Sequence, residues 1–303
     1  MIIDTSKITH FICPLILCSL FITSCGKSKP HIPAAPATPK LHSLRREAKQ
    51  FPFKAGEKLT YDLRFTRLPI SLSAGSITFE NFGVVAQPKV EKLEFTPTAD
   101  ERFLHLKTTL ITKGLLLKIF GLSVNDRFET LVDAKDFKPR ATLRESDESK
   151  RHRLQTGVFD YEKLVANYRV VDVDKPQNPP REKNPKLEPD MQDLLSAFYL
   201  LRLQEAKENS VYKFPLLYEG ERRDFEIVIY GREEIQIDLG KFKTIKVEPK
   251  LFGPGRLSSR EGELFMWVTD DAVKTPVKLV MKSSGATITA TLIKKENAEA
   301  RTQ

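Results

Sequence analysis

Apolar and polar residues alternate with a period of two along most of this chain. Leu59, Tyr61, Leu63 and Phe65 fall on one side and Thr60, Asp62 and Arg64 on the other, which predicts a half-buried strand. Pro69 interrupts, and a second run continues through Ala74-Gly75-Ser76-Ile77-Thr78-Phe79. Leu104, Leu106, Thr108 and Leu110 share a face, as do Val124, Asp126, Phe128, Thr130 and Val132, and runs near 140–146, 151–160 and 163–173 follow. Further strands are predicted at Val211–Tyr218, Arg223–Tyr230, Glu234–Leu239, Phe242–Glu248, Leu264–Val268, Val277–Lys282 and Ala286–Ile293, with Gly220, Gly231, Gly240, Gly262 and Gly285 as turn residues between them. Strands this frequent, joined by short turns, predict a mainly β protein: a strongly curved antiparallel sheet or open barrel.

One segment changes period. Prolines at 176, 179, 180, 185 and 189 predict an internal loop over 174–189. Met191, Leu194, Leu195, Phe198 and Leu201 then fall at helical spacing, with Asp190 placed to cap and Asp193 near the N-terminal dipole. This predicts a single covering helix at about 190–207, its apolar stripe laid on one face or mouth of the sheet.

The N-terminus has a different character. Ile8 to Ile22 is an apolar run of about 15 residues, short against the roughly 20 that a membrane span needs and suited to a secretory signal. It closes on Phe21-Ile22-Thr23-Ser24-Cys25-Gly26, which resembles the lipobox of bacterial lipoproteins, in which the chain is cut before the cysteine and the thiol carries lipid, palmitate among its acyl chains. That resemblance implies a signal peptide over 1–24, a lipidated Cys25, and a domain held on the periplasmic side of a Gram-negative envelope membrane. Gly26 follows the cysteine where the enterobacterial inner-membrane signal would be Asp, so the outer membrane is favoured over the inner. Pro30, Pro33, Pro36 and Pro39 make 25–50 an extended tether. The folded domain is expected over 51–295, with 296–303 a frayed tail.

Composition narrows the chemistry. Of the three cysteines, Cys13 and Cys18 lie in the apolar leader and Cys25 is the lipidation candidate, so the folded part has no thiol. Disulfides, a cysteine nucleophile and cysteine-ligated zinc are excluded together. The net charge of +9 is spread among acids; its densest groups are Lys150-Arg151-His152-Arg153 and Lys241, Lys243, Lys246 and Lys250, the latter read as a solvated strand face. An exported domain is not expected to meet nucleic acid. His105 and His152 lie on different predicted strands, and no Gly-x-Ser-x-Gly, His-Glu-x-x-His or phosphate-cradling loop is present. Gly253-Pro254-Gly255 and Asp270-Asp271 read as turns, the latter through local backbone bonding. No catalytic residue, metal site or cofactor is predicted.

The most suggestive stretch is Gly114-Leu115-Leu116-Leu117-Lys118-Ile119-Phe120-Gly121-Leu122, too continuously apolar for a half-exposed strand. It reads as a packed plug or as a lip for an acyl chain or membrane, with Leu115, Leu116, Leu117, Ile119 and Phe120 as candidate ligand-binding residues.

Taken in order, several short motifs resemble an exported bacterial family known as domain-of-unknown-function family 3108. They are Ala55-Gly56-Glu57-Lys58-Leu59-Thr60-Tyr61 with Ser73-Ala74-Gly75, then Asp126-Arg127-Phe128-Glu129-Thr130 through Pro139-Arg140 to Arg144-Glu145. Asp193-Leu194-Leu195-Ser196-Ala197-Phe198-Tyr199, Gly231-Arg232-Glu233, Val247-Glu248-Pro249 and Met266-Trp267-Val268-Thr269-Asp270-Asp271 with Pro276-Val277 complete the set, and Lys274 departs from the arginine usual there. The resemblance implies an exported β-rich domain and supplies no activity. The expectation is therefore a non-enzymatic, lipid-anchored envelope protein that binds a lipid-like ligand. A scaffold docking envelope proteins through a sheet edge or basic face is the alternative, and an envelope-glycan enzyme the third reading.

Overall fold

The computed structural model of the chain describes residues 40–42, 51–113, 123–149 and 151–297. Cys25 and the candidate residues Leu115, Leu116, Leu117, Ile119 and Phe120 lie outside the described residues.

The described residues form one sheet of fifteen strands. They are β1 (Lys40–His42), β2 (Glu57–Arg67), β3 (Ile70–Val85), β4 (Phe103–Thr112), β5 (Val124–Asp133), β6 (Pro139–Glu148), β7 (Arg151–Asp160), β8 (Val165–Asp172), β9 (Arg181–Lys183), β10 (Ser210–Tyr218), β11 (Glu221–Ile237), β12 (Gly240–Pro249), β13 (Gly262–Thr269), β14 (Pro276–Ser283) and β15 (Ala286–Glu296). Consecutive strands pair antiparallel from β2 to β9 and from β10 to β15, and β15 pairs antiparallel with β2, with Phe65 opposite Ile288. β1 adds in parallel to β10. The sheet is thus mainly antiparallel and curved, as the alternation predicts, and its ladder stays open between β8–β9 and β10.

The chain itself crosses that opening. On one side Ala166 N–H donates to Pro185 and Leu187 N–H to Leu164; on the other Gln192 N–H donates to Pro215 and Leu217 N–H to Gln192, all at 2.8–3.0 Å. Within the proline-rich loop, 181–183 form β9.

Two expectations change. The strands expected at 223–230 and 234–239 are one strand, β11, with a register shift between Ile229 and Gly231. Gly231 therefore sits at a bulge, where one extra residue bends the strand without ending it, and makes no turn. Gly262 likewise opens β13, where a Cβ would stand 2.8 Å from the Phe252 ring and from the Lys282 carbonyl.

The helix, α1 (Leu194–Leu203), is shorter than 190–207 at both ends. Its cap is Asp193: its Oδ1 accepts from Leu195 N–H at 2.7 Å and Ser196 N–H at 3.0 Å, while Ser196 Oγ accepts from Asp193 N–H at 3.0 Å. These reciprocal bonds satisfy the first orphan amides of the helix. Leu195, Ser196, Ala197, Tyr199, Leu200, Leu201, Arg202 and Leu203 are all buried, so α1 lies embedded in the concavity of the sheet. Inward residues of β2–β5 and β10–β15 join it in one apolar cluster.

Both ends of α1 are pinned. At the start, Thr130 Oγ1 donates to Asp193 Oδ1 at 3.2 Å, and Gln192 Nε2 donates to the Phe137 carbonyl at 3.3 Å. At the end, Arg202 donates to both oxygens of Glu57, at 2.6 and 3.0 Å, and through Nε to the Val273 carbonyl at 3.2 Å. Its guanidinium also lies 4.9 Å from the Phe53 ring centre and 5.4 Å from that of Tyr199.

Candidate functional site: an apolar cavity beside a charged seam

Alternation sends Leu63 of β2, Ile77 and Phe79 of β3, Leu110 of β4 and Phe128 of β5 toward α1, and from the other half of the sheet Phe225, Ile227, Leu264, Met266, Leu279 and Ala290. With Leu194, Leu195, Ala197, Phe198 and Leu201 of the helix they enclose an apolar cavity of about 100 Å³. Phe198 stacks on Phe79 with ring centres 4.3 Å apart and forms part of its wall. An apolar cavity near 150 Å³ stays dry and admits a benzene ring. This one therefore has room for a few carbon atoms and offers water almost no polar partner. Left empty, it costs about 2 kcal/mol at roughly 24 cal/mol per Å³.

Beyond Phe128 the inner face becomes polar. Register carries Phe128 opposite Arg144 of β6, Arg144 opposite Gln155 of β7, and Gln155 opposite Val170 of β8. The Arg144 guanidinium stands 4.9 Å from the Phe128 ring centre, 3.4 Å from Asp126 Oδ2 and 3.5 Å from Glu148 Oε1. Across the opening it donates to the Tyr218 hydroxyl at 2.7 Å and to Glu219 at 3.0 Å. The β10–β11 turn thereby closes over β6–β9, with Gly220 held in the left-handed region (φ 71°) where a Cβ would meet Lys183 and Tyr168. Tyr168 in turn donates to Gln155 Oε1 at 2.7 Å.

Burial works against the Arg144 charge, but the Tyr218 hydroxyl and the carboxylates of Asp126, Glu219 and Glu148 outweigh it and hold its pKa up. Burial raises the Asp126 carboxyl against the pull of Arg144. Burial, and then the neighbouring Asp126 charge, push Glu148 up to about 7. Asp193, desolvated beneath the sheet, is pushed up to about 6.

The other singled-out residues lie away from this interior. His105 pairs with Glu129 at 2.7 Å on the outer face of β4. His152, also outward, is 3.7 Å from Glu145. Asp271 accepts from Val273 and Lys274 N–H at 2.9 and 2.8 Å, the local turn bonding predicted for it, and Asp270 pairs with Arg232. Lys246 does not simply face water: its ammonium lies 4.2 Å from the Phe265 ring centre and 5.5 Å from that of Trp267. Among the described residues no group of three or more His, Cys, Asp or Glu could hold a metal ion, and no helix is long and apolar enough to cross a membrane.

Sequence reasoning missed Arg144, Asp126 and Glu148 as a cluster. Asp126 stood in the right alternation and Arg144 in a motif, but their meeting with Tyr218 depends on a turn 74 positions away.

Fold and site together define a β-barrel-like protein with a helix embedded in its apolar interior. Residues 76–293 match the model of the family described as "Protein of unknown function (DUF3108)", and the chain belongs to that family. Among solved structures, the chain is similar to a β-barrel-like protein of domain of unknown function DUF1849 from Brucella abortus. The match has a TM-score of 0.53 at 10% identity and covers 81% of this chain and 99% of that one, so the two share a fold. Weaker matches include a protein described as exported, with a YmcC-like fold, from Bacteroides fragilis NCTC 9343 (TM-score 0.30, 8% identity, 82% and 98% covered). Another is a protein described as a lipoprotein from Parabacteroides distasonis ATCC 8503 (TM-score 0.30, 9% identity, 81% and 97% covered). No curated protein matches the chain.

Proposed function

We propose that this protein is a lipid-anchored, non-enzymatic envelope protein that binds the alkyl portion of a lipid-like ligand between α1 and the inner face of the sheet. The observation that carries the reading is the apolar cavity. A space of about 100 Å³ lined by aliphatic and aromatic side chains is kept open where close packing is otherwise the rule. In its present shape it takes the end of a chain, and side-chain movement of Phe198 against Phe79 is the simplest way to lengthen it. Anchoring through Cys25, by the lipobox resemblance, would put such a binder within reach of bilayer lipids on the periplasmic side, with the outer membrane favoured.

The test is native mass spectrometry of the full chain made in an exporting bacterium and gently freed of detergent. A stoichiometric extra mass, removed by solvent and absent from Ala290→Leu, which fills the cavity, is the expected result. A ligand-free mass after incubation with envelope lipids, or an equal load on Ala290→Leu, refutes the reading.

A further inference from the structure

The inner face carries a second feature past Arg144, toward the rim formed by the ends of β5, β6 and β7. Arg151 and Arg153, two residues apart on β7, point the same way as Gln155. Gln155 bonds Tyr168 under the β10–β11 turn, so this is the concave side. Arg181 joins them from β9, opposite Val170. The three guanidiniums lie within electrostatic reach of one another, and none has an ion pair among the described residues. Arg151 and Arg153 are half-buried, and the Nε of Arg153 is buried without a hydrogen-bond partner.

The carboxylates nearby do not balance them. Glu219 is engaged by Arg144 at 3.0 Å, and Glu148 sits 3.5 Å from Arg144 with Oε1 unbonded. Glu148, opposite Arg151, is pushed toward its neutral form by burial and then by the Asp126 charge. Asp172, opposite Arg153, is the remaining acid within reach. Burial lowers the pKa of both Arg151 and Arg153, and the Arg181 charge lowers each further. A guanidinium stays charged at every working pH, so this crowding is a standing cost that a bound anion would relieve.

We infer that Arg151, Arg153 and Arg181 form an anion site for the phosphate of an amphiphile whose alkyl chain occupies the cavity, an inference that rests on the cavity reading above. Three forked cations suit a group with three or more oxygens and up to two charges better than a carboxylate, which one arginine satisfies in bidentate fashion. The placement fits such a ligand. Leu110 of the cavity wall lies opposite Asp126, Asp126 opposite Ser146, and Ser146 opposite Arg153. Three strand steps of ~4.8 Å put Arg153 about 14 Å across the sheet from Leu110, with Phe128 of the wall one strand nearer. They also stand toward the ends of their strands: Arg151 opens β7, and Ser149 N–H, just past β6, bonds the Ser123 carbonyl, just before β5, at 2.8 Å.

The test compares two probes with the same chain and glycerol, oleoyl lysophosphatidic acid and monooleoylglycerol, each below its micelle threshold, with inorganic phosphate as a third. The protein is the full chain carrying Cys25→Ser, and the readout is titration calorimetry. Expected is at least tenfold tighter binding of the phosphate lipid. In Arg151→Gln/Arg153→Gln that preference disappears while monooleoylglycerol affinity is unchanged, which also shows that the variant is folded. Equal binding of the two lipids, or a preference that survives the double substitution, overturns the head-group site and leaves the cavity reading standing. Arginine-dependent binding of inorganic phosphate with no binding of either lipid overturns both and assigns the site to a free anion. No binding of any probe overturns both as well.

Discussion

The pair that ties the end of α1 to the barrel gives the sharpest prediction of stability. Arg202 is 0% exposed and Glu57 2%, and the two meet in a bidentate contact at 2.6 and 3.0 Å. Replacing Arg202 by Met keeps the length of the side chain and its contact with Phe53 and Tyr199, but leaves the Glu57 carboxylate buried among apolar groups. Breaking a buried pair from one side costs about 3–5 kcal/mol, because the surviving charge keeps its desolvation penalty. In a domain of this size each kcal/mol lowers Tm by about 2–4 °C, so Arg202→Met is expected to melt roughly 6–20 °C below the parent. Replacing both partners removes both penalties, and Glu57→Met/Arg202→Met is expected to recover most of the loss. Urea melts followed by circular dichroism, with all four members of the cycle at one pH, measure the coupling. A double variant as unstable as Arg202→Met alone would refute the argument, since the loss would then come from the shape of the site and not from an orphaned charge.

Three further outcomes follow from the geometry. Glu148 and Asp193 have folded-state pKa values raised to about 7 and about 6, above their ordinary values, so between roughly pH 5 and 7 the folded chain binds more protons than the unfolded one. Stability contributed by these groups is therefore greatest at the low end of that window and falls as pH rises through it; a urea midpoint no higher at pH 5.5 than at pH 8 contradicts this, and Glu148→Gln is expected to flatten the dependence. Gly75, at φ +150°, would place a Cβ 2.0 Å from the Ile111 carbonyl oxygen, so Gly75→Ala must push β3 from β4 and is expected to cost about 2 kcal/mol or more, read as a lower Tm. Asp193→Ala removes two cap bonds and the link to Thr130, for an expected loss of about 1–2 kcal/mol in the same melt.

The alternation of Leu59 through Phe65 and of Val124 through Val132 was enough to read a curved antiparallel sheet, because a strand with one face in a core must repeat every second residue. What it could not show is which strands meet without consecutive pairing. The β10–β11 turn reaches Arg144, and the end of α1 reaches Glu57, through contacts 75 and 145 positions apart in sequence. Period alone put Asp126 on the face of Phe128 and did not tell which way Arg151 and Arg153 point, since inward charges obey the same alternation as inward leucines. The helix shows the same limit. Its apolar spacing was visible, but nothing in that spacing marked Arg202 as buried against Glu57. Asp190 and Asp193 both satisfy the composition of a cap, and only the backbone distinguishes them.

The span of chain from 185 to 192 makes the circumference adjustable in a way a fully laddered barrel is not. A closed ladder fixes strand number, tilt and stagger together, so changing its girth means re-registering every pairing around it. Here the last gap is bridged by a short stretch of backbone, bonded to Leu164 and Ala166 on one side and to Pro215 and Leu217 on the other. Lengthening that stretch, by insertion or over evolutionary time, would widen the interior while leaving the register of β2 to β9 and of β10 to β15 untouched. Interior volume becomes a property of that connector and of the β10–β11 turn that bonds Arg144 across the same opening, separable from the ladders on either side.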